Sequence, residues 1–250
     1  MQAAADREVH IIDDDGTFPV RYTARKIDSH TDTTRATVES LQGTVARMME
    51  RNGKPLTPEE DAAERDRLNA ILAEPADWLR KQKRNTSARG YATDLVKLMP
   101  KAMVCTYAPG QPQPPGATSP QVVLDFTPDP GFKPPTTISQ ILTGLQGRLW
   151  IDRRTQVLTR VEGRVIKPVN FGWGILARVY PGGAIEFEQA EAGKGRWIYS
   201  HLDENITLRE IMIKTVNEKI QMAATDIHLL PAAISYREAI AQLLALQLPR

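Results

Sequence analysis

The chain has 250 residues, 41% of them hydrophobic and 25% charged, which is an ordinary balance for a globular protein and excludes wholesale disorder. A net charge of +2 is too small to argue for a nucleic-acid partner, and no stretch approaches the roughly 20 apolar residues of a membrane-spanning helix. Cys105 is the only cysteine, which excludes an intramolecular disulfide but fits both the cytosol and envelope proteins that avoid disulfides.

The start, Met1-Gln2-Ala3-Ala4-Ala5-Asp6, has two readings. It resembles what remains after a signal peptide is removed, with Met1 an expression start; equally, it is a natural start followed by a disordered tail. Residues 7–56 mix β-branched and polar residues. Val20 to Ile27 is rich in β-formers and predicts a strand. Thr37 to Met49 predicts another. The spacing of Val38, Leu41, Val45 and Met48 suits a helix better, but the threonines and Gly43 favour a strand. Asn52-Gly53 reads as a turn.

Residues 57–103 predict a helical insertion. Thr57-Pro58-Glu59-Glu60 has the form of a capping box with proline at the first helical position. Pro75 then interrupts the helix. A second helix is expected from about Ala76 to Met99, closed by Pro100. Its basic residues Arg80, Lys81, Lys83, Arg84 and Arg89 follow an acidic first helix. They form a candidate patch for an anionic partner; the plainer reading is two antiparallel helices of opposite charge lying together.

Residues 109–120 are a proline-rich loop. From Gln121 to Leu230 the pattern predicts an antiparallel meander. Its strands are Val122–Phe126, Arg148–Asp152, Val157–Val165, Trp173–Tyr180, Ala184–Gln189, Trp197–Leu208 and Glu210–Gln221. Asp152 to Thr155 reads as a hairpin turn. Leu149 and Ile151 alternate against Trp150, which places Trp150 on the opposite sheet face among Arg148 and Asp152. A terminal helix is expected from Tyr236 to Leu246.

No motif assigns chemistry. His10, His30, His201 and His228 lack metal-ligand spacing. Asp13-Asp14-Asp15-Gly16 lacks the later acidic ligands of a calcium loop. Walker A, GxGxxG and GxSxG patterns are missing from the sequence. Cys105, before Thr106 and Tyr107, reads as a small hydrophobe rather than a nucleophile. No cofactor and no metal is expected.

Three segments carry a resemblance: Asn52 to Glu60, Gly147 to Asp152, and Phe171 to Arg178. Together they resemble a bacterial group related to outer-membrane lipoprotein-sorting proteins, over roughly residues 20–225. Arg160 and Glu162 match the basic residue and carboxylate of the strand after Trp-Ile-Asp. The resemblance implies a mainly β (α+β) fold: a strongly curved antiparallel sheet, an unclosed half-barrel, with helices covering its concave side. It implies a periplasmic location and an apolar cavity sheltering an acyl chain of a lipid or lipoprotein.

The expectation is therefore one domain over residues 7–230 with its helical insertion at 57–103, and a C-terminal helix in 231–250 packed on it or extending from it. The expected function is a non-catalytic binding protein of the cell envelope. Phe126, Trp150, Phe171, Trp173, Phe187 and Trp197 are the candidate ligand-binding residues. A structural or interaction module with a filled core, contacting an envelope protein, is the alternative. A hydrolase with a dispersed carboxylate site is the third reading.

Overall fold

The computed structural model describes residues 1–13, 18–115, 117–171, 177–210 and 214–248; side chains are not described at 84–89, 210 and 214. In chain order the elements are helix α1 (Gln2–Ile12), strands β1 (Val20–Ile27), β2 (Asp32–Ser40), β3 (Gly43–Arg51) and β4 (Lys54–Pro55), and helices α2 (Pro58–Ala73) and α3 (Ala76–Ala102). There follow β5 (Met103–Tyr107), β6 (Gln121–Pro128), a 3-10 turn at Ile138–Thr143, β7 (Leu145–Asp152), β8 (Leu158–Val165), β9 (Val169–Phe171) and β10 (Ala177–Val179). The chain closes with β11 (Ala184–Gly193), β12 (Arg196–Glu210), β13 (Lys214–Leu229) and α4 (Tyr236–Ala245).

Every described strand pairing is antiparallel. The strand order is β4-β3-β2-β1-β13-β12-β11-β8-β7-β6-β5, with β10 beside β12 and β9 beside β10. β4 and β5 end the order, so the sheet is not closed into a barrel. An antiparallel, unclosed sheet accompanied by helices is the expected fold class.

Two compact units divide the chain. One comprises Met1–Asp13, Gly90–Ala190 and His201–Ile220; the other comprises Asp14–Arg89, Glu191–Ser200 and Gln221–Arg250. In the first, Phe126, Leu149, Ile151, Leu158 and Val161 pack with Ala4, Ala102, Met103 and Leu142. Phe126 and Leu149 are 1% and 0% exposed. A satellite cluster joins Val165, Val169 and Val179. Gly147 is required where β7 meets β8, since a Cβ there would stand 1.8 Å from the carbonyl oxygen of Glu162.

In the second unit, α2 and α4 pack with β2 and β3. Val38, Val45, Leu68, Tyr236, Ile240 and Leu243 form its core. The expected capping box is present: the Glu60 N–H donates to Thr57 Oγ1, and the Thr57 N–H to Glu60 Oε2. A second box, Ser235 with Glu238, starts α4. Asn52 and Gly53, with φ of 52° and 70°, form the two-residue turn between β3 and β4.

Several expectations need correction. Residues 2–12 form a helix, not a tail, with Ala4, Ala5, Glu8 and Ile11 buried. Thr37 to Met49 is not one strand but the facing ends of two. The Ser40–Gly43 pair closes a hairpin in which Gly43 has φ of 131°. Pro100 does not end α3, which continues to Ala102; a proline this near the terminus disturbs little of the helical ladder. The sequence reading also omitted β5 and β9. Of the expected strand Trp173–Tyr180, residues 173–176 lie outside the described residues, and Ala177–Val179 is strand. Alternation along this strand predicts Val157, Thr159, Val161, Gly163 and Val165 on one face, but Thr159 leaves it. A register shift between Trp150 and Ile151 pairs Ile151 with Leu158, and the Thr159 hydroxyl donates to Gln121 Oε1 at 2.8 Å.

Candidate functional site

The six aromatic candidates fall into separate surroundings. Phe126 is central to the first unit's main core, and Phe187 packs against the same cluster. Phe171 packs against the Val165–Val169–Val179 cluster. Trp150 lies on the opposite face of its strand, as the alternation predicts, with Val123 and Ala108. Trp197 belongs to the second unit and is partly buried. Trp173 lies outside the described residues. Among the described residues, only Phe126 and Phe187 of these candidates share a cluster.

Trp150 is closed over by the proline-rich loop. Its indole Nε1 donates to the carbonyl of Pro112 at 2.9 Å, and the residue is 6% exposed. Two glutamines fasten that loop. Gln111 accepts from the Val123 N–H at 3.0 Å and donates to its carbonyl at 2.9 Å. Gln113 treats Gln121 the same way, at 2.8 and 3.1 Å. Each side-chain amide offers one donor and one acceptor, as a peptide group does. Spaced two residues apart, they continue along β6 the ladder that β5 begins.

Around Trp150 the same face carries charge. Arg148 is bidentate to Asp125, at 2.6 and 3.1 Å. Arg160 donates to Glu162 at 3.0 and 2.8 Å, pairs with Glu186 at 2.5 Å, and also bonds Glu188. The guanidinium carbons of Arg148 and Arg160 lie 5.9 and 5.4 Å from the Trp150 ring centre. Hydrogen bonding to Asp125 raises the Arg148 pKa. Burial works against the Arg160 cation, but Glu162, Glu186 and Glu188 outweigh it and its pKa is raised. The carboxylates thus converge on an arginine rather than on each other. Asp152 ends the face as a turn hub, accepting from the N–H groups of Arg154 and Thr155 and from the Ser119 hydroxyl. Burial pushes its carboxyl up, yet these donors prevail and lower its pKa.

The basic patch is only partly described. Arg80 pairs with Asp77 on its own helix at 2.7 Å. Lys81 and Lys83 are exposed, and the side chains of Arg84 and Arg89 lie outside the described residues. Among the described residues, three acids of α2 meet arginines of α2 itself and of β3. Asp61 binds Arg47 and Arg65, Glu64 binds Arg67, and Glu60 meets Arg51. Strand β3 supplies Arg47 and Arg51 to these acids.

The two ends of the strand order differ. β4 is two residues long, Lys54-Pro55. Charge and proline blunt a sheet edge against further pairing. β5 is Met103-Val104-Cys105-Thr106-Tyr107, without charge or proline. Tyr107 is 76% and Val104 46% exposed. Cys105 is a half-buried free thiol, and burial pushes its pKa up. The sequence signal for this edge was present: a β-rich pentapeptide between a helix and a proline loop.

Among the described residues no group of three or more His, Cys, Asp or Glu is placed to hold a metal ion, and no helix is long and apolar enough to cross a membrane. Comparison of the chain with known family models, with curated proteins and with solved structures returns no match.

Proposed function

We propose that this chain is a non-catalytic protein-interaction module that recruits partners through a sheet edge. The observation that carries the reading is β5: a terminal strand of five uncharged residues with Val104 and Tyr107 open to solvent. Pairing of an extended segment with such an edge gains main-chain hydrogen bonds and side-chain pockets together. The acyl-carrier reading needs aromatics gathered around one cavity. It is less favoured, because the described candidates are divided among separate packed clusters. A periplasmic setting belongs to the same proposal, supported by the resemblance of residues 52–60, 147–152 and 171–178 to a bacterial group related to outer-membrane lipoprotein-sorting proteins.

Native mass spectrometry of the chain extracted from its source cells tests the function. The expected spectrum has protein-only masses, including stoichiometric protein complexes. A tightly held acyl adduct on most of the chain would overturn the interaction reading in favour of a carrier.

A further inference from the structure

The partner that fits the β5 edge can be read from the strand's hydrogen-bonding phase and its side chains. The Ala108 N–H donates to the Val123 carbonyl at 2.9 Å, and the Asp129 N–H to the Ala102 carbonyl at 2.8 Å. In an antiparallel ladder, alternate residues turn their backbone groups to the neighbour. Ala102, Val104, Thr106 and Ala108 therefore address β6. Met103, Cys105 and Tyr107 turn their backbone groups to the outer edge. Met103 lies opposite Pro128, which has no N–H to offer, in keeping with that phase.

The side chains follow the same alternation. Met103, Cys105 and Tyr107 lie on the Phe126 face, since Cys105 pairs with Phe126. Val104 and Thr106, opposite Thr127 and Asp125, lie on the other. Cys105 is the midpoint. On either side stand a β-branched residue and then a large apolar one. A strand of this pattern is complementary to itself when reversed.

We propose that β5 pairs antiparallel with β5 of a second copy of this chain, about a two-fold axis at Cys105. This rests on the reading of the chain as an interaction module and names the occupant of that edge. In this register Cys105 faces Cys105 of the second copy, and their outward N–H and C=O groups meet. Tyr107, the most exposed of the large apolar residues described, lies against Met103 of the second copy. Val104 lies against Thr106 of the second copy in a non-hydrogen-bonded position, where side chains stand closest. Lys101 falls opposite Pro109, so no like charges are opposed. A foreign peptide would need to supply this same order of residues; a second copy carries it already, and one patch meeting itself closes the assembly at two. The short strand makes the dimer concentration-dependent.

Sedimentation equilibrium over micromolar to submillimolar loading tests the pairing. The wild-type chain, 27.9 kDa as a monomer, is expected to approach twice that mass. Val104 and Thr106 both point away from the main core, so their substitution spares the fold. Val104→Lys with Thr106→Lys sets lysine against lysine twice across the axis and is expected to hold the monomer mass. Val104→Lys with Thr106→Glu sets lysine against glutamate twice and is expected to restore the dimer. A monomeric wild type at all loadings overturns the pairing, and so does a Lys/Lys variant that still dimerises, or a Lys/Glu variant that remains monomeric while wild type dimerises. These masses are independent of the acyl adduct that decides the proposed function. An adduct would remove that reading without altering them, and a monomeric wild type would remove the pairing without creating an adduct.

Discussion

The two units place the arginines of their networks differently. In the unit built on β2, β3, α2 and α4, a guanidinium is fully inside: the Arg47 side chain is 0% exposed. In the unit built on β5 to β8, the charge buried among the helix and strand residues is a carboxylate, Glu8, while Arg148 and Arg160 lie on the sheet face opposite the main core, with Arg160 23% exposed. Placement determines what each charge is worth. A buried guanidinium has exchanged its water for fixed partners and is costly to leave unmatched. A half-exposed one keeps part of its hydration and contributes little net stability.

Arg47 shows why a charge is tolerated inside. Helix α4 ends with carbonyls that have no partner within the helix. Arg47 Nη1 donates to the carbonyls of Leu243 and Leu246 at 2.7 and 2.8 Å, and Arg65 donates to that of Leu244 at 3.1 Å. Asp61 binds both arginines, at 2.5 and 3.0 Å. A cation at a helix C-terminus also meets the negative end of the dipole. Arg47→Ala removes the shared donor, leaving Asp61 with Arg65 alone and taking a hydrogen bond from each of the Leu243 and Leu246 carbonyls. The expected loss is about 3–5 kcal/mol, read as a lowered denaturation midpoint with reduced amide protection in α4 and β3. A loss below about 1 kcal/mol would erase the contrast between the units.

Asp61 gives the next largest effect and a pH signature. Burial raises its pKa, but hydrogen bonds from Arg47 and Arg65 outweigh burial, and the folded value is lowered. The unfolded chain titrates near about 3.9. Its contribution is therefore complete above that pH and is lost as pH falls through the lower folded value. Asp61→Asn is expected to cost about 1.5–3 kcal/mol at neutral pH, the scale of hydrogen bonds to charged groups. It should also flatten the acid limb of a stability–pH curve. An unchanged acid limb would mean other carboxylates dominate acid unfolding.

Much of this architecture was legible in the sequence, for identifiable reasons. Thr57-Pro58-Glu59-Glu60 acts through local contacts alone, and it gave the start of α2 correctly. The alternation of Leu149, Trp150 and Ile151 separated two sheet faces, because side chains on a strand point in turn to opposite sides. What failed depended on contacts distant in sequence. Helix α1 was hidden because Glu8 stands among its inward residues; that carboxylate accepts from the Gln189 side chain, 181 positions away. The arginines that β3 supplies to α2, Arg47 and Arg51, were illegible because spacing along the chain does not place β3 beside α2. The aromatic candidates were grouped by residue type. Only strand pairing, with its bulge at Trp150, decides which of them meet.

The smallest expected effect sharpens the comparison from the outer face of the first unit. Arg160 touches Glu162, Glu186 and Glu188, whose side chains are 45%, 35% and 37% exposed. Three ion pairs have the outward form of a strong anchor, but each partner keeps part of its water, and exposed pairs contribute only about 0–1 kcal/mol. Arg160→Gln also leaves three carboxylates near one another without their cation. The resulting repulsion acts through solvent, where the screening length is about 8 Å at physiological ionic strength. The expected loss is about 1 kcal/mol in low salt, shrinking as salt is added, as read from denaturation midpoints across a salt series. A loss as large as that of Arg47→Ala, and indifferent to salt, would mean that the face around Trp150 is as dry as the socket of Arg47. The charged network would then be a second interior rather than a surface.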